Sequence, residues 1–243
     1  MRGPSSKPRC RSSLGFPAVA RALTALLAVL ALALGGCGDD DEGGSNGGAS
    51  ADPTTPAEQA EGCREVAPPE PKPDGGQRKP SDELAPDTTY EVTFETSCGS
   101  FSFELDQETS PNTAASFASL VEDGFFDGLT FHRVVPGFVI QGGDPTGTGT
   151  GGPGYSTRDV PPRDARYVKG VVAMAKAGNE PPGTAGSQFY VVSGADAGLP
   201  PDYALLGEVT RGIETVELID GQGVGDGPPR IPIVIGKATL KES

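Results

Sequence analysis

From Thr89 onward the chain alternates polar and apolar positions with a period of two. Tyr90, Val92 and Phe94 interleave with Glu91, Thr93 and Glu95, and Phe101-Ser102-Phe103-Glu104-Leu105 repeats the alternation. Two such runs joined by Ser97-Cys98-Gly99-Ser100 predict a β-hairpin with one buried face. The period then lengthens. Ala114, Phe117, Ala118 and Val121 recur at helical spacing until Gly124, and Ser110-Pro111 supplies an N-cap residue followed by proline at the first helical position. This spacing predicts a helix over 111–123. Further apolar runs predict strands at Leu129–Val135, Phe138–Gln141, Gly170–Ala175, Gln188–Val192, Tyr203–Val209 and Ile231–Leu240, with a second short helix at Ile213–Asp220 whose Ile213, Val216 and Ile219 share a face. Many short strands with two isolated helices predict a mainly β domain, an eight-stranded antiparallel sheet closed into a barrel, because closure removes exposed edges.

The pattern before residue 87 is different. Residues 1–36 open with charge and continue into the apolar run Ala22–Leu34, 13 residues long. That is too short for a helix to span a bilayer, which needs about 20 residues, and it reads as the core of a signal peptide. Leu34-Gly35-Gly36-Cys37 resembles the lipobox of bacterial lipoproteins, which implies lipidation of Cys37 and a protein tethered to the bacterial cell membrane on its extracytoplasmic side. Two acyl chains on that cysteine suffice for stable anchoring. Residues 37–86 read as a disordered acidic Gly/Pro-rich linker. Between Gly38 and Pro80 lie 15 Gly or Pro, no aromatic residue, and Val66 as the sole large aliphatic. Such a composition has no means to build a core. Pro68-Pro69-Glu70-Pro71-Lys72-Pro73 suits a stiff spacer better than a polyproline ligand. The folded domain is therefore expected over 87–243.

Charge and rare residues remove several classes of function. From Cys37 to the end, 14 basic residues face 33 acidic ones, and so acidic a body repels a phosphate backbone; no nucleic-acid partner is expected. The single histidine, His132, and four cysteines without a CxxC pair supply no zinc site, so no metal or other cofactor is expected. A serine hydrolase would need His132 as base and a GxSxG elbow, which is missing. Gly147-x-Gly149-x-x-Gly152 formally fits a dinucleotide fingerprint. It is followed by Pro153-Gly154-Tyr155 rather than a helix, and reads as a tight surface loop.

Residues 131–155, FHRVVPGFVIQGGDPTGTGTGGPGY, resemble the signature of cyclophilin-type peptidyl-prolyl cis/trans isomerases. The resemblance continues in order through Ser110-Pro111-Asn112-Thr113, Gly170-Val171-Val172-Ala173-Met174-Ala175 and Gly186-Ser187-Gln188-Phe189, and covers roughly 89–240. It implies a cyclophilin-like barrel and an enzyme that rotates X-Pro bonds. The barrier to that rotation is about 18–20 kcal/mol, and no covalent bond has to break. The enzyme need only stabilise a twisted amide whose prolyl nitrogen has regained a lone pair. The resemblance assigns that task to Arg133, always charged and with its donors in fixed geometry. It implies that Gln141 bonds the substrate carbonyl. It also implies that Phe138, Val139, Phe189, Leu199 and Tyr203 line a proline pocket, and that Ala175, Lys176 and Gln188 hold the peptide. Phe138 and Phe189 also fit plain core aromatics. Val139 replaces a frequent methionine, Tyr203 a frequent histidine, and Gly198 a tryptophan that contacts cyclosporin in sensitive members, so strong cyclosporin binding is not expected. His132 is expected to be a structural neighbour, since the rotation abstracts no proton.

The resulting expectation is an extracytoplasmic, lipid-anchored monomeric isomerase acting on proline-containing segments of exported proteins. The alternative is a noncatalytic peptide-binding or chaperone module of the same fold. In an exported chain, lipidation consumes Cys37 and Cys10 departs with the signal peptide, which leaves Cys63 and Cys98 as an even pair expected to form a disulfide.

Overall fold

A computed structural model describes residues 62–243. The expected signal peptide at 1–36, the expected lipidation residue Cys37 and the first part of the expected linker, 37–61, lie outside the described residues. The hairpin forms as its alternation dictates: β1 (Tyr90–Thr96) pairs antiparallel with β2 (Gly99–Leu105), and Val92, Phe94, Phe101, Phe103 and Leu105 all turn inward. Helix α1 (Pro111–Glu122) follows, then β3 (Arg133–Val135), β4 (Val139–Gly142), β5 (Thr157–Arg158), β6 (Val171–Met174), β7 (Thr184–Ala185), β8 (Phe189–Val192), β9 (Leu205–Arg211), α2 (Ile213–Asp220) and β10 (Ile235–Glu242). Eight strands form one antiparallel sheet in the order β10-β1-β2-β9-β6-β8-β4-β3, and β5 pairs with β7 apart from it.

The sheet curls on itself without full closure by strand pairing. Its terminal strands β3 and β10 do not pair with each other, so the expected closed eight-stranded antiparallel barrel takes the form of a curled half-barrel. A short seam joins the segment ahead of β3 to the start of β10 and the residues just before it: Phe131 N–H donates to Ile233 O at 3.0 Å and Ile235 N–H to Leu129 O at 2.8 Å. Part of the run read as a strand from Leu129, and part of the run read from Ile231, is spent on this seam. Inside the curl sit Phe94, Phe101, Phe103, Phe117, Phe126, Phe131 and Phe189, each essentially inaccessible to solvent. Phe94 stacks on Phe189 with centroids 5.2 Å apart and Phe117 on Phe126 at 4.5 Å. Each such ring removed from water contributes about 1.5–3 kcal/mol, so the cluster dominates the domain's stability.

Ser110 does not cap α1. Its hydroxyl is buried without a partner among the described residues, while Asp159 reaches in from the loop after β5. The Asp159 carboxylate accepts from Thr113 N–H at 2.7 Å, Thr113 Oγ1 at 2.6 Å and Asn112 Nδ2 at 2.8 Å. A carboxylate at a helix start satisfies orphan N–H groups and complements the dipole, and here tertiary structure supplies it in place of the local serine.

The second part of the predicted linker is not disordered. It lies along the domain as an irregular strap. Cys63 and Cys98 are joined by a disulfide, and Arg64 N–H donates to Ser97 O at 2.8 Å. Farther on, Lys72 N–H donates to Pro145 O, Gly75 N–H to Gly152 O and Gln77 N–H to Pro153 O, and Leu84 packs on the interior cluster. A segment with no core of its own can be ordered by backbone hydrogen bonds to a core built elsewhere. Cys98, in the connection between β1 and β2, is buried.

Candidate active site

The outward faces of three central strands build a second apolar cluster, separate from the phenylalanine interior. Alternation sorts the side chains. On β4, Val139 and Gln141 face out while Ile140 faces in; around β6, Ala173 and Ala175 face out while Val172 and Met174 face in; on β8, Tyr190 and Val192 face out while Phe189 and Val191 face in. Val139, Tyr167, Ala173, Tyr190 and Val192 form the floor, with Phe138, Ala175, Leu199 and Tyr203 half-buried around it.

Phe189 is thus removed from the expected pocket and placed among the interior aromatics, and its neighbour Tyr190 takes the outer position. A one-residue step along a strand changes the face, so a motif read one position early assigns the wrong ring. Tyr167, unassigned from sequence, fixes Tyr203: its hydroxyl donates to Tyr203 O at 2.6 Å and accepts from Tyr203 N–H at 3.0 Å. Burial pushes the Tyr167 hydroxyl up to about 12. The Tyr190 hydroxyl, also raised by burial, has no hydrogen-bond partner among the described residues.

Along the rim runs a row of polar side chains. Arg133 on β3 stands opposite Gln141 on β4, and Arg133 Nη1 donates to Gln141 Oε1 at 3.1 Å. Gln141 Nε2 donates to Gln188 Oε1 at 3.1 Å, and Gln188 Nε2 to Gly151 O at 2.9 Å. From the other side Asp226 grips the guanidinium twice, Nε to Oδ1 at 2.5 Å and Nη2 to Oδ2 at 3.1 Å. The Arg133 hydrogen bond holds the Asp226 carboxyl below its ordinary range. Asp226 was not legible in the sequence, because it lies in a Gly/Pro-rich stretch 93 residues from its partner. Lys176 turns its ammonium to Glu180 O and over the Tyr203 ring, 5.4 Å from the centroid, while Ala175 N–H bonds Gln188 O.

The glycine-rich run folds around Asp144. Burial alone would raise that carboxyl, yet hydrogen bonds from Thr146, Gly151 and Gly149 hold it below its ordinary value. The loop's N–H groups are therefore spent on an internal carboxylate, consistent with the loop reading of the fingerprint-like glycines. Beside it, both His132 ring nitrogens are buried without a partner among the described residues. Burial lowers the imidazole's proton affinity, against the pull of Asp144 and together with the push of Arg133.

A fixed guanidinium beside an apolar pocket on a curled antiparallel sheet can be compared with known proteins. The family model described as "Cyclophilin type peptidyl-prolyl cis-trans isomerase/CLD" matches residues 91–240. The chain belongs to the cyclophilin-type peptidyl-prolyl cis-trans isomerases. Among similar proteins, peptidyl-prolyl cis-trans isomerase B of Bacillus subtilis is 47% identical over 113 residues, 46% of this chain and 77% of the relative. A Synechococcus elongatus peptidyl-prolyl cis-trans isomerase is 38% identical over 148 residues, 61% of this chain and 99% of the relative. A Cryptosporidium parvum cyclophilin-type isomerase, whose crystal structure was determined in the presence of the dipeptide Ala-Pro, superimposes with a TM-score of 0.58 at 31% identity, covering 62% of this chain and 98% of that one. The enzyme accordingly isomerises peptidyl-prolyl bonds, and the cyclophilin fold is the mainly β half-barrel with two helices described above. The strap at 62–90 lies outside the family match.

Proposed function

We propose that this cyclophilin accelerates X-Pro isomerisation in exported proteins at the extracytoplasmic face of the membrane, to which a lipidated Cys37 ties it as a monomer. The domain plan supporting this is a signal peptide at 1–36, a spacer from Cys37 and an isomerase domain over 87–243, with the spacer's later part strapped to the domain. The lipobox-like Leu34-Gly35-Gly36-Cys37 and the Cys63–Cys98 disulfide both suit an exported chain. Replacing Cys37 by serine is expected to move the protein from the membrane pellet to the soluble fraction; full retention in the pellet after signal cleavage would remove the anchor from the proposal.

The observation that carries the catalytic reading is the guanidinium of Arg133, locked by Asp226 and Gln141 beside the outer apolar cluster. In this reading the proline ring enters among Phe138, Val139, Tyr190, Leu199 and Tyr203, Gln141 donates to the substrate carbonyl, and the backbone at Ala175 and Lys176, with Gln188, aligns the peptide. As the C–N bond twists, the prolyl nitrogen loses resonance and becomes a hydrogen-bond acceptor. Arg133 donates to it in the twisted state more strongly than in either planar state, which is the differential binding that catalysis requires. Lowering the barrier by roughly 5–6 kcal/mol brings exchange into about the millisecond range. Exchange NMR on an Ala-Pro-Phe peptide tests this directly, and absence of catalysed exchange would overturn it.

A further inference from the structure

Resting on that reading of the outer groove, we propose that the strap adds a specificity site for the substrate: Asp74 recognises a lysine or arginine side chain of the peptide whose proline occupies the pocket. Next to the Gln141–Gln188 pair lies a cleft of about 620 Å³, and Asp74 contributes to its wall together with Gly152, Ala175 and Lys176. The strap is firmly seated there. Asp74 Oδ1 accepts from Gly152 N–H at 2.8 Å, and Gly75 N–H and Gln77 N–H donate to Gly152 O at 2.9 Å and Pro153 O at 3.0 Å. The approach is close enough that a side chain at Gly154, whose φ is +93°, would press on the Gly75 and Gly76 backbone at 3.0–3.1 Å.

Two other charged groups line the cleft, and each already has a hydrogen-bond partner there. The Lys176 ammonium donates to Glu180 O and sits over Tyr203, and the Glu180 carboxylate accepts from Ala177 N–H at 2.6 Å. Asp74 keeps Oδ2 without a hydrogen bond among the described residues. The cleft therefore offers two carboxylate oxygens to an incoming donor, Glu180 Oε1, on the residue whose carbonyl takes the Lys176 ammonium, and Asp74 Oδ2 on the strap, at the end of the groove proposed to take the peptide backbone. A basic side chain near the target bond complements it, and an acidic one is repelled.

The experiment uses the full chain and peptides that differ only in carrying lysine or glutamate at each of three positions before an Ala-Pro bond. Catalysed exchange is read by NMR and affinity by titration. At low salt the lysine peptide is expected to be favoured at one of these positions by about threefold, as for an exposed ion pair, with the ratio falling toward one at high salt. Asp74→Asn keeps an oxygen for the Gly152 N–H and is expected to abolish the ratio, while Asp74→Lys inverts it. A ratio of one at every position in the wild type, or a ratio unchanged in Asp74→Asn, overturns the assignment. If no peptide is isomerised, the isomerase reading fails by itself, and the titration still decides whether Asp74 selects charge.

Discussion

Arg133 offers the sharpest test of how this site works. Its guanidinium carries five N–H donors, of which Nε and Nη2 engage Asp226 and Nη1 engages Gln141. Two remain for a substrate, held at a fixed angle by the other three. The side chain is 30% exposed, so Arg133→Ala opens no cavity in either apolar cluster and the fold is expected to persist. What it removes is one charge-assisted hydrogen bond to the twisted prolyl nitrogen, about 1.5–3 kcal/mol. At 1.36 kcal/mol per tenfold, kcat/KM is expected to fall by about ten- to 150-fold. Arg133→Lys retains the charge but not the fork that satisfies Asp226, Gln141 and substrate together, so most of the loss is expected there too. The assay is NMR exchange or protease-coupled isomerisation on an Ala-Pro-Phe peptide, with circular dichroism to confirm the fold. Activity of Arg133→Ala within twofold of wild type would refute the electrostatic role. Full activity in Arg133→Lys would show that charge alone suffices and that the Asp226 grip is irrelevant.

The isomerisation rate is expected to be nearly flat between about pH 6 and 8, because the rotation transfers no proton and burial shifts His132 toward its neutral form; a sigmoidal profile abolished by His132→Gln would restore proton transfer to the mechanism. The same burial has a stability consequence: the folded pKa lies below the unfolded value near 6.5, so stability is complete above about pH 6.5 and is lost as pH falls toward the folded value. Urea midpoints at pH 7.5 and 5.5 should show this decline, reduced in His132→Gln, and a midpoint that rises on acidification contradicts it. Opening the Cys63–Cys98 bridge with reductant, or replacing both cysteines by serine, frees a loop closed across a separation of 35 residues. The loss is expected to be at most about 3.5–4 kcal/mol, read as a lower unfolding midpoint, and two alkylatable thiols in the unreduced protein would exclude the bridge. Tyr190→Phe deletes a buried hydroxyl with no partner and is expected to be neutral or stabilising by about 1 kcal/mol, whereas Phe189→Ala is expected to cost about 3–5 kcal/mol by emptying the interior. A large loss in Tyr190→Phe would reveal a hydrogen bond that the geometry does not contain.

The elements that the sequence made legible are those whose partners lie nearby in the chain. The β1–β2 hairpin is encoded by strict alternation on both sides of a short turn, and α1 by its apolar spacing, with Gly124 at φ +66° where the chain turns away. Helix α2 spans the predicted residues, with Val216 and Ile219 buried. Where the partner is distant, the local pattern misleads. Leu129–Phe131 resembles a strand, yet its N–H and C=O groups bond Ile233 and Ile235, just before and at the start of β10, in a seam too short to count as one. Ser110 has the chemistry of a cap, but Asp159 occupies the helix start. The strap from Gly62 to Pro86 has no apolar periodicity to detect, since its order comes from backbone bonds to the Gly152–Pro153 loop and from one disulfide.

The same division explains the site. Arg133 and Gln141 were found because both lie within one short motif and face each other across β3 and β4, so local sequence carries their geometry. Phe138, Val139, Ala175, Leu199 and Tyr203 also gather where the motif implied, because each sits on or beside a strand whose outward face is fixed by alternation. Phe189 failed on that very rule: with Gln188 at the rim before β8, the next outward position is Tyr190, and the phenylalanine must point into the interior. Asp226 and Tyr167 failed for another reason. They hold Arg133 and Tyr203 in place, and a residue that works through another leaves no motif of its own. Asp74 lies still further from local recognition, in a segment outside the 91–240 family match that no periodicity marks. Its proximity to the catalytic row exists only because Gly75 and Gly154 let two backbones meet. The residues proposed to carry the reaction thus lie largely in a contiguous motif, whereas the positioning of Arg133 and the proposed selection of substrates depend on chain segments that only the folded structure brings together.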